Sequence, residues 1–147
     1  MKKFSKTTRP VTLLLALVAC AGLAGCGSEG PAAPTPDVAP PPVPQPLSPA
    51  TGTLFTHFPR NTTLVWSAVS DASAPVTYRV QVQFCQGSAA NPTSCVDRPS
   101  YCPGVVTSTT CGFNFVGGQP GRWRVGAVDA VGNESAFSNW STFEFDS

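Results

Sequence analysis

Apolar and polar side chains alternate along several short segments in the second half of the chain. The clearest is segment 78–84, in which Tyr78, Val80, Val82 and Phe84 fall on one face. Successive side chains of a strand point to opposite faces, so this alternation predicts strands with one buried face. The same pattern recurs at 63–67, 109–115, 123–128 and 141–145. No segment has the 3.6-residue apolar spacing of an amphipathic helix, and the sequence therefore predicts an all-β fold.

Clusters of Gly, Pro, Ser, Asp and Asn separate these segments, at 70–75, 117–121 and 132–133. Such residues favour turns. The part that contains the strands, residues 47–147, is long enough for one domain and one hydrophobic core. We expect a single antiparallel β-sandwich of about seven strands.

The order of these strands resembles the fibronectin type III domain. A buried tryptophan of that family corresponds to Trp66, and its Tyr-x-Val-x-Val strand corresponds to Tyr78, Val80 and Val82. Its aromatic-x-Val-x-Ala-Val-Asn/Asp stretch corresponds to residues 123–133, which follow a Pro-Gly turn. The resemblance covers residues 46–146 and implies an immunoglobulin-like sandwich. One departure is Gly121, which stands where the family often has a corner tyrosine; packing of Trp123 or a disulfide must then hold this corner.

The segment 137–141 resembles the Trp-Ser-x-Trp-Ser box of cytokine-receptor type III domains, with Phe137 in place of the first Trp. In that family the tryptophan stacks between arginines of a neighbouring strand, which implies a stack of Trp140 with Arg122 and Arg124. Alternation along their strands places all three outward, where a cation–π contact contributes about 0.5–1 kcal/mol. The alternative is that Trp140 is an open platform for a sugar or protein partner.

The N-terminus has the layout of a secretory signal, with basic residues followed by the apolar segment 11–24 and small residues before Cys26. The run 23–26, Leu-Ala-Gly-Cys, resembles the lipobox of bacterial lipoproteins. The resemblance implies loss of residues 1–25, lipidation of Cys26 and attachment to a membrane. A second such site, with cleavage before Cys20, leaves a shorter apolar core, so we prefer Cys26. The residues after Cys26 do not form an inner-membrane retention signal, and we expect an outer-membrane address in the cell envelope.

Residues 26–46 are predicted to form a proline-rich linker after the lipidated cysteine. Nine of the nineteen residues 31–49 are proline, which favours a semi-rigid polyproline II spacer. Over 27–46 its extended length is roughly 60 Å, at about 3.1 Å per residue. A proline-rich ligand for a partner domain is the alternative. After residue 25 the chain has five arginines, no lysine and eight acidic residues, a net charge of −3, and it has no basic run for nucleic acid.

Four cysteines follow the linker: Cys85, Cys95, Cys102 and Cys111. An even number in an oxidising compartment predicts two disulfides, and the wide spacing argues against a zinc site. Of the three connectivities, neighbouring strand ends favour 85–95 with 102–111, although the sequence leaves the others open. The long segment 86–104, which includes Tyr101, is a candidate recognition surface, and a protease-resistant insertion without a ligand is the alternative.

The residues do not indicate an enzyme. The chain has a single histidine, His57, and its scattered acidic residues form no pair spaced for acid–base catalysis. We expect no metal and no cofactor. The sequence predicts a membrane-anchored, non-catalytic binding or adhesion module whose ligand is a protein or polysaccharide. A carbohydrate-binding accessory module and a structural spacer of the envelope are the alternatives.

Overall fold

The computed structural model describes residue 30, residues 33–115 and residues 117–146. The predicted signal peptide, Cys26 and the alternative site Cys20 lie outside these residues. The structure confirms the all-β prediction, because the residues that it describes contain strands and no helix, and hence no helix that could span a membrane. The strands are β1 (Pro46–Ser48), β2 (Thr53–Phe55), β3 (Asn61–Trp66), β4 (Thr77–Gly87), β5 (Pro92–Asp97), β6 (Thr110–Asn114), β7 (Gly121–Val128) and β8 (Ser141–Phe145).

These strands form two sheets. One has three strands in the order β1-β3-β6, and the other has five in the order β2-β8-β7-β4-β5. All pairings are antiparallel except that of β2 with β8. The longest ladder joins β4 to β7 over eight residue pairs, from Thr77 opposite Val128 to Phe84 opposite Gly121. This ladder forms the centre of the five-stranded sheet.

Apolar side chains from the two sheets share one core. The three-stranded sheet contributes Leu64 and Trp66, and the five-stranded sheet contributes Val82, Trp123 and Phe143, all of them buried. The rings of Trp66 and Trp123 approach to 6.3 Å between centroids. Large aromatic side chains bury about 150–250 Å² each, so these rings supply much of the hydrophobic stabilisation. The opposite face of β4 and β7 carries polar side chains, as their alternation predicts: Arg79, Gln81, Gln83, Arg122 and Arg124.

The described residues form eight strands where the sequence predicts about seven, because the first strand region is divided between the two sheets. β1 pairs with β3, and β2 pairs with β8. A turn between them includes Gly52, which has a φ of 82° and donates its N–H to the carbonyl of Thr142 at 2.8 Å. Glycine adopts this left-handed conformation without steric cost, so the chain can cross from one sheet to the other here.

The corner at the start of β7 is filled by aromatic rings. A Cβ added at Gly121 would lie 2.5 Å from Cζ of Phe143 and 3.0 Å from Cε2 of Phe115. The absence of a side chain at Gly121 therefore lets these two rings pack directly on the backbone. These rings, and neither Trp123 nor a disulfide, meet the backbone at Gly121.

The compact unit runs from Thr35 to Ser147 and so includes residues 35–46, which the sequence assigns to the linker. Pro41 and Pro44 are buried in it. The N–H of Gln45 donates to Oγ of Ser67 at 2.8 Å, and the N–H of Ser67 donates to the carbonyl of Gln45 at 2.9 Å. This part of the proline-rich tract is therefore attached along the domain.

Candidate functional site

The segment 135–140 is held against β7 by two serines. Ser135 and Ser138 donate their N–H groups to the carbonyls of Ala127 and Val125, each at 2.8 Å. Their hydroxyl oxygens accept from the N–H groups of the same two residues, at 2.8 and 3.1 Å. Each serine thus forms a two-way bond with the strand, which takes the place of a regular ladder. This arrangement fixes Trp140 beside the outer face of β7.

Trp140 stacks with two arginines of β7. The guanidinium carbons of Arg122 and Arg124 lie 4.3 and 4.4 Å from the centroid of its ring. These distances fall within the range of a cation–π contact. The structure therefore brings together three of the residues that the sequence singled out, and the ring is engaged within the protein.

The stack continues beyond Trp140. Arg124 also lies 4.5 Å from the ring centroid of Phe137, and Arg79 of β4 lies 5.2 Å from that ring. Arg79 forms an ion pair with Glu134, with 2.7 Å between the nitrogen and oxygen. We call the alternating row Arg122–Trp140–Arg124–Phe137–Arg79 the cation–π ladder.

Two glutamines of β4 orient the arginines of this ladder. Nε of Arg122 donates to Oε1 of Gln83 at 2.6 Å, and Nε of Arg124 donates to Oε1 of Gln81 at 2.7 Å. The side-chain amides of both glutamines then donate to the same oxygen of Asp97 in β5, each at 2.7 Å. One carboxylate therefore orders two amides, and the amides order two guanidinium groups. The result is a rigid polar face on the five-stranded sheet.

Sequence reasoning missed Arg79, Gln81, Gln83 and Asp97 as members of this face. The alternation along β4 gave a partial signal, because Arg79, Gln81 and Gln83 have the opposite parity to the buried residues of that strand. Asp97 carried no such signal, because its position depends on how β5 pairs with β4.

Two disulfides fix the segment that follows β4. Cys85 is bonded to Cys95, and Cys102 is bonded to Cys111. This is the connectivity that the strand ends favoured. Two disulfides indicate an oxidising compartment outside the cytoplasm. The segment after Cys95 exposes apolar side chains, with Val96 57% and Val105 60% accessible.

Tyr101 does not join Trp140. Its ring stacks on that of Phe113 with 4.4 Å between centroids and 7° between planes, and it also contacts Phe84 at 5.4 Å. Phe84 belongs to the inward face of β4, opposite to that of the cation–π ladder. Tyr101 therefore covers one side of the core, and its side chain is half-buried there.

Three carboxylates meet at the end of the domain where residues 35–45 attach. Oxygen atoms of Asp37, Asp71 and Asp129 lie within 4.8 Å of one another, a donor set that could hold a divalent cation. Hydrogen bonds already occupy oxygen atoms of these carboxylates that a cation would need as ligands. Oγ of Ser73 donates to Asp37 at 2.6 Å, and the N–H and side-chain amide of Asn133 donate to Asp129, each at 2.8 Å.

These bonds set the pKa of two of the acids. Bonds from the Ser73 hydroxyl and the Ala39 N–H lower the pKa of Asp37 below its ordinary value. Burial acts to raise the pKa of Asp129, but bonds from Asn133 and from neighbouring backbone N–H groups outweigh it, and the net shift is downward. Both acids therefore stay ionised at neutral pH, as their acceptor roles require.

His57 has a structural environment. Its ring packs against Phe55 and Phe145, with centroids 5.2 and 5.4 Å away. Nδ1 donates to the carbonyl of Pro59 at 3.0 Å, which requires a proton on that nitrogen. The histidine thus helps to shape the turn between β2 and β3.

No protein-family model, curated protein or solved structure matches the chain in the comparisons.

Proposed function

We propose that this chain is a lipid-anchored binding or adhesion module of the bacterial cell envelope, and that it acts by recognition and not by catalysis. In this proposal the folded part is a fibronectin type III-like β-sandwich, carried on a proline-rich linker behind a lipidated Cys26. The strand order of the two sheets, the buried Trp66 and the two serines that bond to β7 support the type III assignment. The function itself rests on one further observation.

That observation is the stapled segment 92–109. The Cys85–Cys95 bridge ties it to β4 of the five-stranded sheet and the Cys102–Cys111 bridge ties it to β6 of the three-stranded sheet, yet it presents Val96 and Val105 to solvent. Fixing a loop lowers the conformational entropy that is lost when it binds a partner. A segment that is both rigid and partly apolar therefore suits recognition better than it suits a passive connection.

Site-specific photocrosslinking tests this assignment. A diazirine amino acid is placed at Val105 in cells that produce the full chain, and separately at Val131, which is 62% accessible but lies in the turn after β7. The matched exposure makes Val131 the control. We expect adducts with one protein or glycan from Val105 and none from Val131. Equal yields from both positions, or none from either, would favour a structural spacer of the envelope.

Metabolic labelling with an alkyne fatty acid tests the anchor. We expect label on the wild-type chain and on Cys20→Ala, and none on Cys26→Ala. Label that disappears with Cys20→Ala and persists with Cys26→Ala would move the lipidation site to Cys20. The Cys26→Ala variant should also disappear from the membrane fraction, because it would lack the lipid anchor.

Protease shaving of intact cells decides which way the module faces. Release of fragments from residues 47–147, with a periplasmic marker still protected, places the module on the outer surface, where adhesion to other cells or matrix is the expected role. Protection places it in the periplasm, where an envelope protein or peptidoglycan is the expected partner.

A further inference from the structure

A cleft of about 340 Å³ lies at the edge of the five-stranded sheet, away from the cation–π ladder. It is formed where the end of β4 meets β5 and the loop before β7. Its walls combine the edge of Phe84, the exposed Val96, the guanidinium of Arg98 and the side chains of Gln86 and Gln119. Sites for small ligands combine apolar walls with a few converging polar groups in this way, and this volume is at the small end of their range.

Arg98 is held in place without a carboxylate partner. Its N–H donates to the carbonyl of Val82 at 2.8 Å, and its carbonyl accepts from the N–H of Tyr101 at 3.1 Å. Its guanidinium carbon lies 4.5 Å above the ring of Phe84. Within the described part of the chain Arg98 forms no ion pair. The stack on Phe84 therefore orients a charged fork that is exposed and open to an incoming anion.

Amide and hydroxyl groups flank this arginine. Gln86 and Gln119 line the same cleft, and Ser94 of β5 adds a hydroxyl. The Gln119 side chain folds back over Gly117, where a Cβ would collide with its amide. Gly117 has a φ of 95°, so glycine both permits the turn and leaves room for the amide. The polar groups thus surround Arg98 from different elements of the fold.

We propose that this cleft binds a carboxylate-bearing sugar residue of an acidic polysaccharide, with Arg98 as the anchor for the carboxylate. The inference rests on the proposed function and names its ligand class. A guanidinium and a carboxylate form paired, charge-assisted hydrogen bonds. The amides of Gln86 and Gln119 and the hydroxyl of Ser94 can exchange hydrogen bonds with ring hydroxyls, while Val96 offers a surface for C–H groups.

An extended peptide fits this edge less well. Such a peptide binds by adding a strand to a regular sheet edge. The pairing of β5 with β4 shifts register between Phe84 and Gln86, and Ser94 has a φ of 46°. Irregularities of this kind interrupt the row of backbone groups that an added strand needs. A compact, charged ring makes no such demand on the edge.

The test is an NMR titration of the full chain in detergent micelles with α-1,4-linked trigalacturonic acid. The neutral control is the same trimer with its carboxylates methylated. We expect the acid to shift the Nε–H signal of Arg98 and the amide signals of Gln86 and Gln119. The methyl ester should bind at least about tenfold more weakly than the acid. Arg98→Gln should weaken acid binding about tenfold or more, and Arg60→Gln, a surface arginine outside the cleft, should change it less than about twofold.

Several results would overturn the inference. These are equal binding of acid and ester, shifts confined to the face of Trp140, or unchanged binding by Arg98→Gln with its spectrum otherwise intact. Arg98→Lys provides a second variant that keeps the charge, and it should recover part of the affinity but not all. A dipeptide with a free C-terminal carboxylate provides a further comparison. If it binds this cleft more tightly than the trimer does, the ligand of the cleft is a peptide and not a sugar. Crosslinks from Val105 would still support a binding module after any of these failures, so the two proposals fail separately.

Discussion

Replacing Gly121 with alanine should destabilise the domain through one well-defined collision. The new Cβ would lie 2.5 and 2.8 Å from Cζ and Cε2 of Phe143 and 3.0 Å from Cε2 of Phe115. Both rings belong to the core and are almost fully buried, so neither can move aside freely. Overpacking of this kind costs about 1–3 kcal/mol. We therefore expect a lower midpoint in urea unfolding, followed by tryptophan fluorescence with the disulfides intact.

Gly112→Ala is the matched control. Gly112 also lies within a strand, but a Cβ there would meet its nearest atoms at 3.8 and 3.9 Å, which is ordinary contact. Removing a glycine restricts the unfolded chain, so this change should be neutral or stabilise by about 0.4–1 kcal/mol. If Gly121→Ala is as stable as Gly112→Ala, the two rings do not close on the backbone at the corner, and the account of Gly121 given above is wrong.

Three further predictions concern the ladder, a disulfide and the acidic end. Trp140→Ala should lower the free energy of unfolding by about 1–2 kcal/mol, and its coupling with Arg124→Ala in a double-mutant cycle should be about 0.5–1 kcal/mol; additive single effects would exclude a stack. Replacing Cys102 and Cys111 together by alanine should cost about 2–3 kcal/mol, measured by urea unfolding, because the bridge closes a loop of about ten residues. The pKa of Asp129 is lower in the folded state than in the unfolded state. Its stabilising contribution is therefore present above the unfolded pKa and is lost as the pH falls through the folded pKa. In Asp129→Asn the free energy of unfolding, measured between pH 7 and pH 2, should depend less on pH than in the wild type.

Alternation in the sequence predicted most of the central sheet because strand parity is a local property. Trp123 and Val125 had to face the core, so Arg122 and Arg124 had to face outward, and Trp140 followed from the parity of the last strand. The order of the cysteines along the chain also favoured the observed disulfide pairing, although it left the two other connectivities open. These features need only the order of residues along the chain.

Features that depend on register or on distant contacts were not accessible. Asp97 meets two glutamines of β4 only because the pairing of β4 with β5 shifts register between Phe84 and Gln86. β2 has three residues in a parallel pairing, too few to show an alternation. Tyr101 lies in an irregular segment whose direction is fixed by the Cys102–Cys111 bridge and by stacking on Phe113. In each case the decisive interaction is tertiary.

The linker gives the clearest example of a tertiary effect. Its composition predicts a chain without helix or sheet bonds, yet Pro46 already belongs to β1, and composition cannot reveal that Pro41 and Pro44 are buried against the domain. The carbonyl of Asp37 even accepts from the side chain of Asn133, at 3.2 Å. If Cys26 carries the lipid, only residues 27–34 are left to act as a spacer, roughly 25 Å when extended at about 3.1 Å per residue.

This attachment also has a definite place on the domain relative to the cleft. Residues 35–45 reach the domain beside Asp129, immediately after β7, whereas the cleft lies beside Gln119, immediately before it. The eight residues of β7 separate these ends by roughly 23 Å. The cleft that contains Arg98 therefore lies at the end of the domain remote from the point where residues 35–45 meet it.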